Sequence, residues 1–187
     1  MSTWIFVRHG QSVANAEGWL SGWEDVPLTS QGIDEARLAK KELEGEVFDR
    51  VLCSDLQRAR HTAALILEGH PPVPMFVLPE IRERRMGIFV GESLAKLRED
   101  GRWAQYLAPW EARPEGGESH AGALARVVAC FQHWDVGGRT LVVGHGGWMR
   151  DLLLRLEGVP REEIGYRPPT KNAHPQRREI LSWEGVV

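Results

Sequence analysis

The sequence has little of what marks secreted, membrane-spanning or nucleic-acid-binding proteins. Its 187 residues include only two cysteines, Cys53 and Cys130, which is too few for a disulfide framework and favours free, buried thiols. No apolar run approaches the ~20 residues of a membrane helix, and the first residues lack the basic flank and apolar stretch of a signal peptide. With 23 basic and 26 acidic side chains, the net charge of -3 provides no bulk attraction to nucleic acid. We therefore expect a cytoplasmic protein with no nucleic-acid or membrane partner.

Sequence patterns that hold metal ions are missing as well. The chain contains no H-E-x-x-H, no C-x-x-C and no aspartate-rich loop. We expect neither a metal ion nor another cofactor in its function.

Strand-like and helix-like segments alternate along the chain, which is typical of a mostly parallel sheet covered by helices. The predicted fold class is α/β, a three-layer sandwich with a mostly parallel central sheet, helices on both faces and a short cap region at about residues 84–118. A length of 187 residues predicts one domain, 1–187. The predicted strands span residues 3–7, 50–54, 73–78, 139–144 and 179–183, and the clearest predicted helices span residues 30–44, 57–67, 119–134 and 148–156.

Two of the seven histidines lie just beyond the end of a predicted strand. Arg8 and His9 follow the first strand, His145 follows the fourth, and the glycine after each histidine lets backbone and ligand approach closely. Because open α/β sheets build their sites at the carboxyl ends of strands, we expect paired roles for these two rings. His120 stays open, and the remaining histidines are assigned structural roles because no partners converge on them: His61, His70, His133 and His174.

Two arginines are predicted at the same edge of the sheet. Arg8 precedes His9, and Arg58 begins the helix after the second strand, so the two guanidinium groups can clamp an oxyanion. For Arg58 taken alone, a surface ion pair is the alternative. Guanidinium charge keeps an imidazole neutral and stabilises phosphoryl oxygens, which favours phosphohistidine chemistry. Cysteine-dependent phosphate chemistry fails on spacing, because four residues separate Cys53 from Arg58 where that loop requires five.

Four motifs, in order along the chain, resemble those of the histidine phosphatase superfamily, also called the phosphoglycerate mutase-like family. The opening FVRHGQSVANAEGWLSGWEDVPLTSQG is similar to R-H-G-x-[ST]-x-x-N followed by a substrate-loop S-G and an L-T-x-x-G helix start. The later segments CSDLQRARHTA, IRERRMGIFVGES and VVGHGGWMR are similar to the three remaining family motifs. The resemblance covers nearly the whole chain.

The resemblance implies a role for each matching residue. His9 is the implied nucleophile, and Glu83 is the implied acid that protonates the leaving alkoxide and then activates water. The implied phosphate and substrate pocket comprises Arg8, Asn15, Ser21, Gly22, Arg58, His145 and Gly146. Without the motif, Glu83 is better explained by a surface ion pair with a neighbouring arginine.

Two positions bear on which reaction the family resemblance implies here. Glycolytic mutases of the family carry a tyrosine three residues after the acid and a lysine eleven after it, where this chain has Met86 and Leu94. A mutase also needs a second basic cluster, and residues 103–118 offer only Arg113. These departures favour hydrolysis of a small-molecule phosphomonoester through a phosphohistidine intermediate. A phosphoglycerate mutase and a non-catalytic phosphate-binding domain are the alternatives, and the chain is expected to be a monomer or a homodimer.

Substrate identity is the least determined feature. An aromatic entrance and plain packing are equally good interpretations of five residues: Trp19, Trp23, Trp103, Tyr106 and Trp110. The arginines Arg82, Arg84 and Arg85 either attract a second acidic group or form a solvated face.

Overall fold

A five-stranded sheet runs through the middle of the molecule. The structure, a computed structural model, describes residues 2–187, and the strands lie in the order β3-β2-β4-β1-β5. Their bounds are Ser2–Arg8 (β1), Arg50–Cys53 (β2), Met75–Val77 (β3), Gly138–Gly144 (β4) and Gln176–Ile180 (β5). Strands β1 to β4 pair in parallel and β5 pairs antiparallel with β1. The predicted, mostly parallel sheet is therefore confirmed.

Helices connect the strands and cover the sheet. They span Val13–Glu17 (α1), Ser30–Glu42 (α2), Gln57–Leu67 (α3), Leu94–Glu99 (α4), His120–Trp134 (α5), Gly146–Leu156 (α6) and Arg161–Ile164 (α7). Single 3-10 turns lie at Pro79–Ile81 and Gly87–Phe89, and a π-helical turn lies at Trp103–Leu107.

Strand β1 separates two hydrophobic cores. Its alternating side chains pack Trp4 and Phe6 against α5 and α6, and Ile5 and Val7 against α2 and α3. Such a strand reads as an unbroken apolar run because both of its faces are buried. Helices thus cover both faces of the sheet, as the sequence predicts.

Most predicted elements lie close to their observed bounds. Helix α3 is found where it is predicted, and serine or threonine side chains cap α2 and α5 at Thr29 and Ser119. The last strand is wrong by three residues, predicted at 179–183 and found at Gln176–Ile180, because its pairing with β1 sets its ends. Helices α1 and α7 were not predicted, since four or five residues are too few for a periodic pattern.

The site lies where the central parallel strands end. The backbone N–H of His9 donates to the Gly144 carbonyl at 3.0 Å, and that of Ser54 donates to the Val143 carbonyl at 3.0 Å. The ends of β1, β4 and β2 are therefore in register at one edge of the sheet. Residues beyond β3 add a small hydrophobic cluster above that edge, formed by Met86, Phe89, Leu97 and Leu107 with Leu20 and Trp103. Over residues 2–187, no helix combines the length and hydropathy needed to cross a membrane.

Candidate active site

His9 is held in one tautomer by its own backbone. The ring is 4% exposed, and Nδ1 lies 2.7 Å from the Gly10 carbonyl oxygen. Because a carbonyl only accepts, Nδ1 donates and Nε2 carries the free lone pair. Burial, together with the charges of Arg8 and Arg58, holds the pKa of His9 well below its usual range, so the ring is neutral at neutral pH.

The loop around His9 is held just as firmly. The Gly10 N–H donates to the Thr62 hydroxyl at 3.0 Å, and the Asn172 side chain donates to the His9 carbonyl at 2.8 Å. A β-carbon at position 10 would lie 2.1 Å from the Gly32 carbonyl oxygen of α2, so glycine is required there. Sequence reasoning missed Asn172, because nothing in its local pattern distinguishes it.

His145 packs beside His9, with ring centroids 5.2 Å apart. Its Nε2 lies 2.8 Å from the Ser54 hydroxyl at the end of β2, while its buried Nδ1 has no hydrogen-bond partner among residues 2–187. Burial, with the charges of Arg58 and His9, holds the pKa of His145 well below its usual range. A neutral ring that accepts from Ser54 at Nε2 has an Nδ1 proton to donate to an oxyanion.

Arg8 and Arg58 line the same pocket as His9, and the ring of His145 packs beside that of His9. Arg58, 1% exposed, donates from Nη1 to the Glu24 carbonyl at 2.7 Å and from Nη2 to the Gly22 carbonyl at 2.9 Å. Arg8 donates from Nη1 to the Thr170 carbonyl at 2.7 Å, and its buried Nε has no partner among the described residues. Burial lowers the pKa of Arg58 to about 10, which leaves it charged at neutral pH. The surface ion pair considered for Arg58 is not formed in the part of the chain that the structure describes.

Glu83 faces the pocket and is held by backbone N–H groups. Its Oε2 accepts from Gly147 at the start of α6 at 2.9 Å, and its Oε1 accepts from the N–H of Arg84 at 2.8 Å. Within residues 2–187, no ion pair with a neighbouring arginine is formed, so the surface-pair interpretation of Glu83 is wrong.

The other predicted pocket residues lie in two places. Asn15, Ser21 and Gly22 line the pocket, and Asn15 also accepts from the Ser12 N–H at 3.2 Å in a capping box at the start of α1. Gly146 lies beneath Arg8 instead, where a β-carbon would come within 2.7 Å of Arg8 Nε.

Four further arginines line the pocket, and none of them comes from residues 103–118: Arg84, Arg98, Arg150 and Arg167. Arg84 is 2% exposed and donates to the Leu107 carbonyl at 3.0 Å, so the solvated-face interpretation is wrong for it. Its neighbour Arg82 instead forms an ion pair with Asp55. Tertiary contacts therefore assemble a second group of arginines that residues 103–118 do not supply.

His120 belongs to this arginine-rich wall. It is buried between Asp151, 2.8 Å from Nδ1, and the Leu107 carbonyl, 2.8 Å from Nε2, with Trp110 stacked on its ring. Arg150 donates to Asp151 at 2.6 Å. Burial lowers the pKa of His120, and the bond to Asp151 opposes that shift.

The sequence comparisons point to one family. The family model of the histidine phosphatase superfamily (branch 1) matches residues 4–180. The chain belongs to the histidine phosphatase superfamily. The family predicted from the four motifs is thereby confirmed.

Relatives within this superfamily differ in their reactions. An adenosylcobalamin/alpha-ribazole phosphatase from Salmonella typhimurium is 38% identical over 170 residues, covering 88% of this chain and 83% of the relative. A 2,3-bisphosphoglycerate-dependent phosphoglycerate mutase from Afipia carboxidovorans is 36% identical over 174 residues, covering 86% of this chain and 83% of the relative. The solved structure of the alpha-ribazole phosphatase from Shigella flexneri has a TM-score of 0.80 at 29% identity, covering 95% of this chain and 90% of that chain.

The five aromatic residues considered for an aromatic entrance lie in different places. Trp19 and Trp103 line the pocket. Trp110 is buried against His120, Tyr106 is 43% exposed, and Trp23 lies beneath three guanidinium groups. Two of the five therefore lie in the pocket wall. No cluster of three or more histidine, cysteine or carboxylate side chains suited to a metal ion occurs in residues 2–187.

Proposed function

We propose that this protein hydrolyses small-molecule phosphomonoesters through a phosphohistidine at His9. The observation that carries the proposal is the convergence of a neutral imidazole, two guanidinium groups and a carboxyl group in one pocket. Membership of the histidine phosphatase superfamily supports the same chemistry. The expected cytoplasmic location and the choice between monomer and homodimer stay predictions.

In the first step, His9 Nε2 attacks phosphorus as the bond to the leaving oxygen breaks. Arg8, Arg58 and the Nδ1 proton of His145 stabilise the phosphoryl oxygens, whose charge is spread in a loose transition state. Glu83 gives its proton to the leaving oxygen, which departs as an alcohol.

In the second step, water attacks the phosphoryl group and the bond between phosphorus and Nε2 breaks. Glu83, now a carboxylate, takes the proton from that water, so acid and base exchange roles within one turnover. Inorganic phosphate leaves and His9 returns to its neutral state, held in the correct tautomer by the Gly10 carbonyl.

An apolar or ring-bearing leaving group suits the pocket walls. Beside the indoles of Trp19 and Trp103, the pocket is lined by Leu20, Met86 and Leu94. The Salmonella typhimurium relative is named for action on adenosylcobalamin and alpha-ribazole compounds, so alpha-ribazole phosphate heads the panel of substrates to test.

Phosphoglycerate mutase activity is the second candidate, favoured by the arginine-rich wall. Arg84, Arg98, Arg150 and Arg167 line the pocket beyond the phosphate clamp, where a carboxylate or second phosphate would lie. Incubation with 3-phosphoglycerate separates the two reactions, because a hydrolase releases inorganic phosphate and a mutase forms 2-phosphoglycerate.

The proposed mechanism is tested by His9→Ala. The variant is expected to lose turnover by at least about 10³-fold with its circular dichroism unchanged, because it lacks the only covalent acceptor. Wild-type protein quenched during turnover should carry an acid-labile, base-stable phosphoryl group that the variant lacks. Turnover of His9→Ala within a few fold of wild type would rule out the mechanism, and intact folding with no turnover in the wild type would favour a phosphate-binding domain.

A further inference from the structure

Trp23 touches the segment that carries Glu83. Its indole N–H donates to the Glu83 carbonyl oxygen at 2.6 Å, which connects the loop after α1 to that segment. The ring is half-buried and lies outside the group of residues that line the pocket. The Trp23 side chain therefore contacts only the backbone of the proposed acid and does not reach the reacting atoms.

Three guanidinium groups hold the indole in place. Those of Arg82, Arg85 and Arg126 lie 5.0, 5.4 and 5.9 Å from the ring centre, within the range of cation–π attraction. Each of them is itself tied to the segment around Glu83. Arg126, for example, donates to the Glu83 carbonyl at 3.3 Å and forms an ion pair with Glu118.

Arg58 holds the backbone on both sides of Trp23 in the sequence. The two guanidinium nitrogens Nη2 and Nη1 bond the carbonyls of Gly22 and Glu24, the residues directly before and after Trp23. Arg58, one of the two arginines of the proposed phosphate clamp, therefore sets the position of Trp23, which in turn donates a hydrogen bond to the backbone of Glu83. Covalent and hydrogen bonds connect Arg58 to Glu83 without a gap.

We propose that Trp23 is a positioning residue, which fixes Glu83 at the leaving oxygen and couples its placement to the phosphate-binding Arg58. The inference rests on the proposed function. A carboxyl group displaced by about 1 Å loses most of its advantage in proton transfer, which is a loss of about 100-fold. The rate of phosphoenzyme formation therefore decreases for leaving groups that need a proton and is unchanged for those that do not.

The test compares two phosphomonoesters in single-turnover experiments with Trp23→Phe. An alkyl phosphate leaves as a basic alkoxide and needs protonation, whereas p-nitrophenolate leaves nearly unaided. Trp23→Phe keeps the ring for the guanidinium groups but removes the donor. Phosphoenzyme formation from the alkyl phosphate is expected to fall about 10- to 100-fold, while the p-nitrophenol burst stays within about 3-fold of wild type.

A double-mutant cycle separates positioning from a general structural role. In a Glu83→Gln background no proton remains to be positioned, so adding Trp23→Phe is expected to slow the alkyl phosphate reaction by less than about 3-fold. The matched control is Trp183→Phe, which removes an indole N–H that bonds Asp135 at 2.8 Å in the core under α5 and α6, away from Glu83 and Trp23, and should leave both reactions unchanged. If Trp23→Phe does not fold, benzothienylalanine at position 23 removes the N–H while keeping the bicyclic shape.

Every other outcome contradicts the positioning role of Trp23 or the proposed function. Equal losses for both leaving groups, additive losses in the double variant, or no loss at all would overturn the positioning role while His9→Ala still abolished the burst. A wild-type protein that forms no phosphoenzyme would overturn the proposed function, and this inference with it.

Discussion

At the scale of single residues, burial determines which groups are reactive. His9 and His145 both have pKa values held well below the usual range by burial and by neighbouring positive charge. A neutral imidazole is a nucleophile and a charged one is not, so the guanidinium groups proposed to bind the phosphoryl oxygens also favour the neutral form of His9. In the proposed mechanism, one pair of arginines thus serves both binding and activation.

Burial has the opposite effect on the nearby thiol, which makes Cys53→Ser a clean test. Cys53 is fully buried, and desolvation raises its pKa to about 12, so almost no thiolate exists at neutral pH. Turnover of Cys53→Ser is expected to stay within about 3-fold of wild type. Its free energy of unfolding, measured in urea, should fall by about 1–2 kcal/mol because a hydroxyl enters an apolar core. Loss of turnover with unchanged folding would revive a cysteine-dependent mechanism.

At the scale of elements, the first two residues of α6 lie against different groups of the proposed site. Gly146 lies against Arg8, which is proposed to bind phosphate, and Gly147 lies against Glu83, which is proposed to transfer the proton. A β-carbon on Gly146 would lie 2.7 Å from Arg8 Nε, and one on Gly147 would lie 2.5 Å from Glu83 Oε1. Both neighbours are flexible side chains, which would move aside while the helix stays in place.

Two alanine variants exploit this arrangement. Gly146→Ala is expected to weaken competitive inhibition by inorganic phosphate and to slow phosphoenzyme formation from alkyl and p-nitrophenyl phosphates alike, by about 10-fold or more. Gly147→Ala should slow the alkyl phosphate reaction alone. Melting temperatures serve as the folding control for both. Identical kinetic patterns in the two variants would contradict the assignment of Arg8 to binding and Glu83 to proton transfer.

At the scale of the whole molecule, the two hydrophobic cores on either side of β1 hold the strands whose ends carry the site. The core under α5 and α6 contains two fully buried indoles that differ in one respect. Trp148 donates to the Ile81 carbonyl at 3.2 Å, whereas the indole N–H of Trp4 has no hydrogen-bond partner among residues 2–187.

This difference predicts unequal costs for two similar substitutions. Trp4→Phe removes an unsatisfied donor, while Trp148→Phe breaks a bond and leaves a buried carbonyl unpaired. The free energy of unfolding in urea is therefore expected to fall by about 1–2 kcal/mol less for Trp4→Phe than for Trp148→Phe. A larger loss for Trp4→Phe would contradict the expectation.

Stability should also decrease in mild acid. His9 and His145 have folded pKa values well below 6.5, so below about pH 6.5 the unfolded chain binds more protons than the folded one. The free energy of unfolding is expected to fall with decreasing pH from that point, by up to about 1.4 kcal/mol per pH unit for each histidine. Urea titrations between about pH 5 and 8 should show a shallower slope for His145→Asn than for wild type. The exposed His174 provides the matched control, and an equally shallow slope for His174→Asn would contradict the assignment to the buried rings.

The sequence by itself determined the features that local pattern records. Unbroken apolar runs identified β1 and β4, and helical periodicity identified α2, α3 and α5. Four spaced motifs identified the family and brought together Arg8, His9, Arg58 and Glu83 in one pocket, with His145 packed beside His9. These predictions succeeded because strand-end positions on a parallel sheet are placed by topology, which the order of elements already implies.

Only the tertiary structure decided which distant side chains share the pocket. Arg84, Arg150 and His120 come from three segments, and nothing in their local sequence distinguishes a pocket wall from a solvated surface. Asn172 and Trp23 donate hydrogen bonds across the fold to the backbone oxygens of His9 and Glu83, and such oxygens carry no sequence signal. Strand register was likewise decided by the tertiary structure. The ends of β5, for example, are set by its pairing with β1 and not by its own residues.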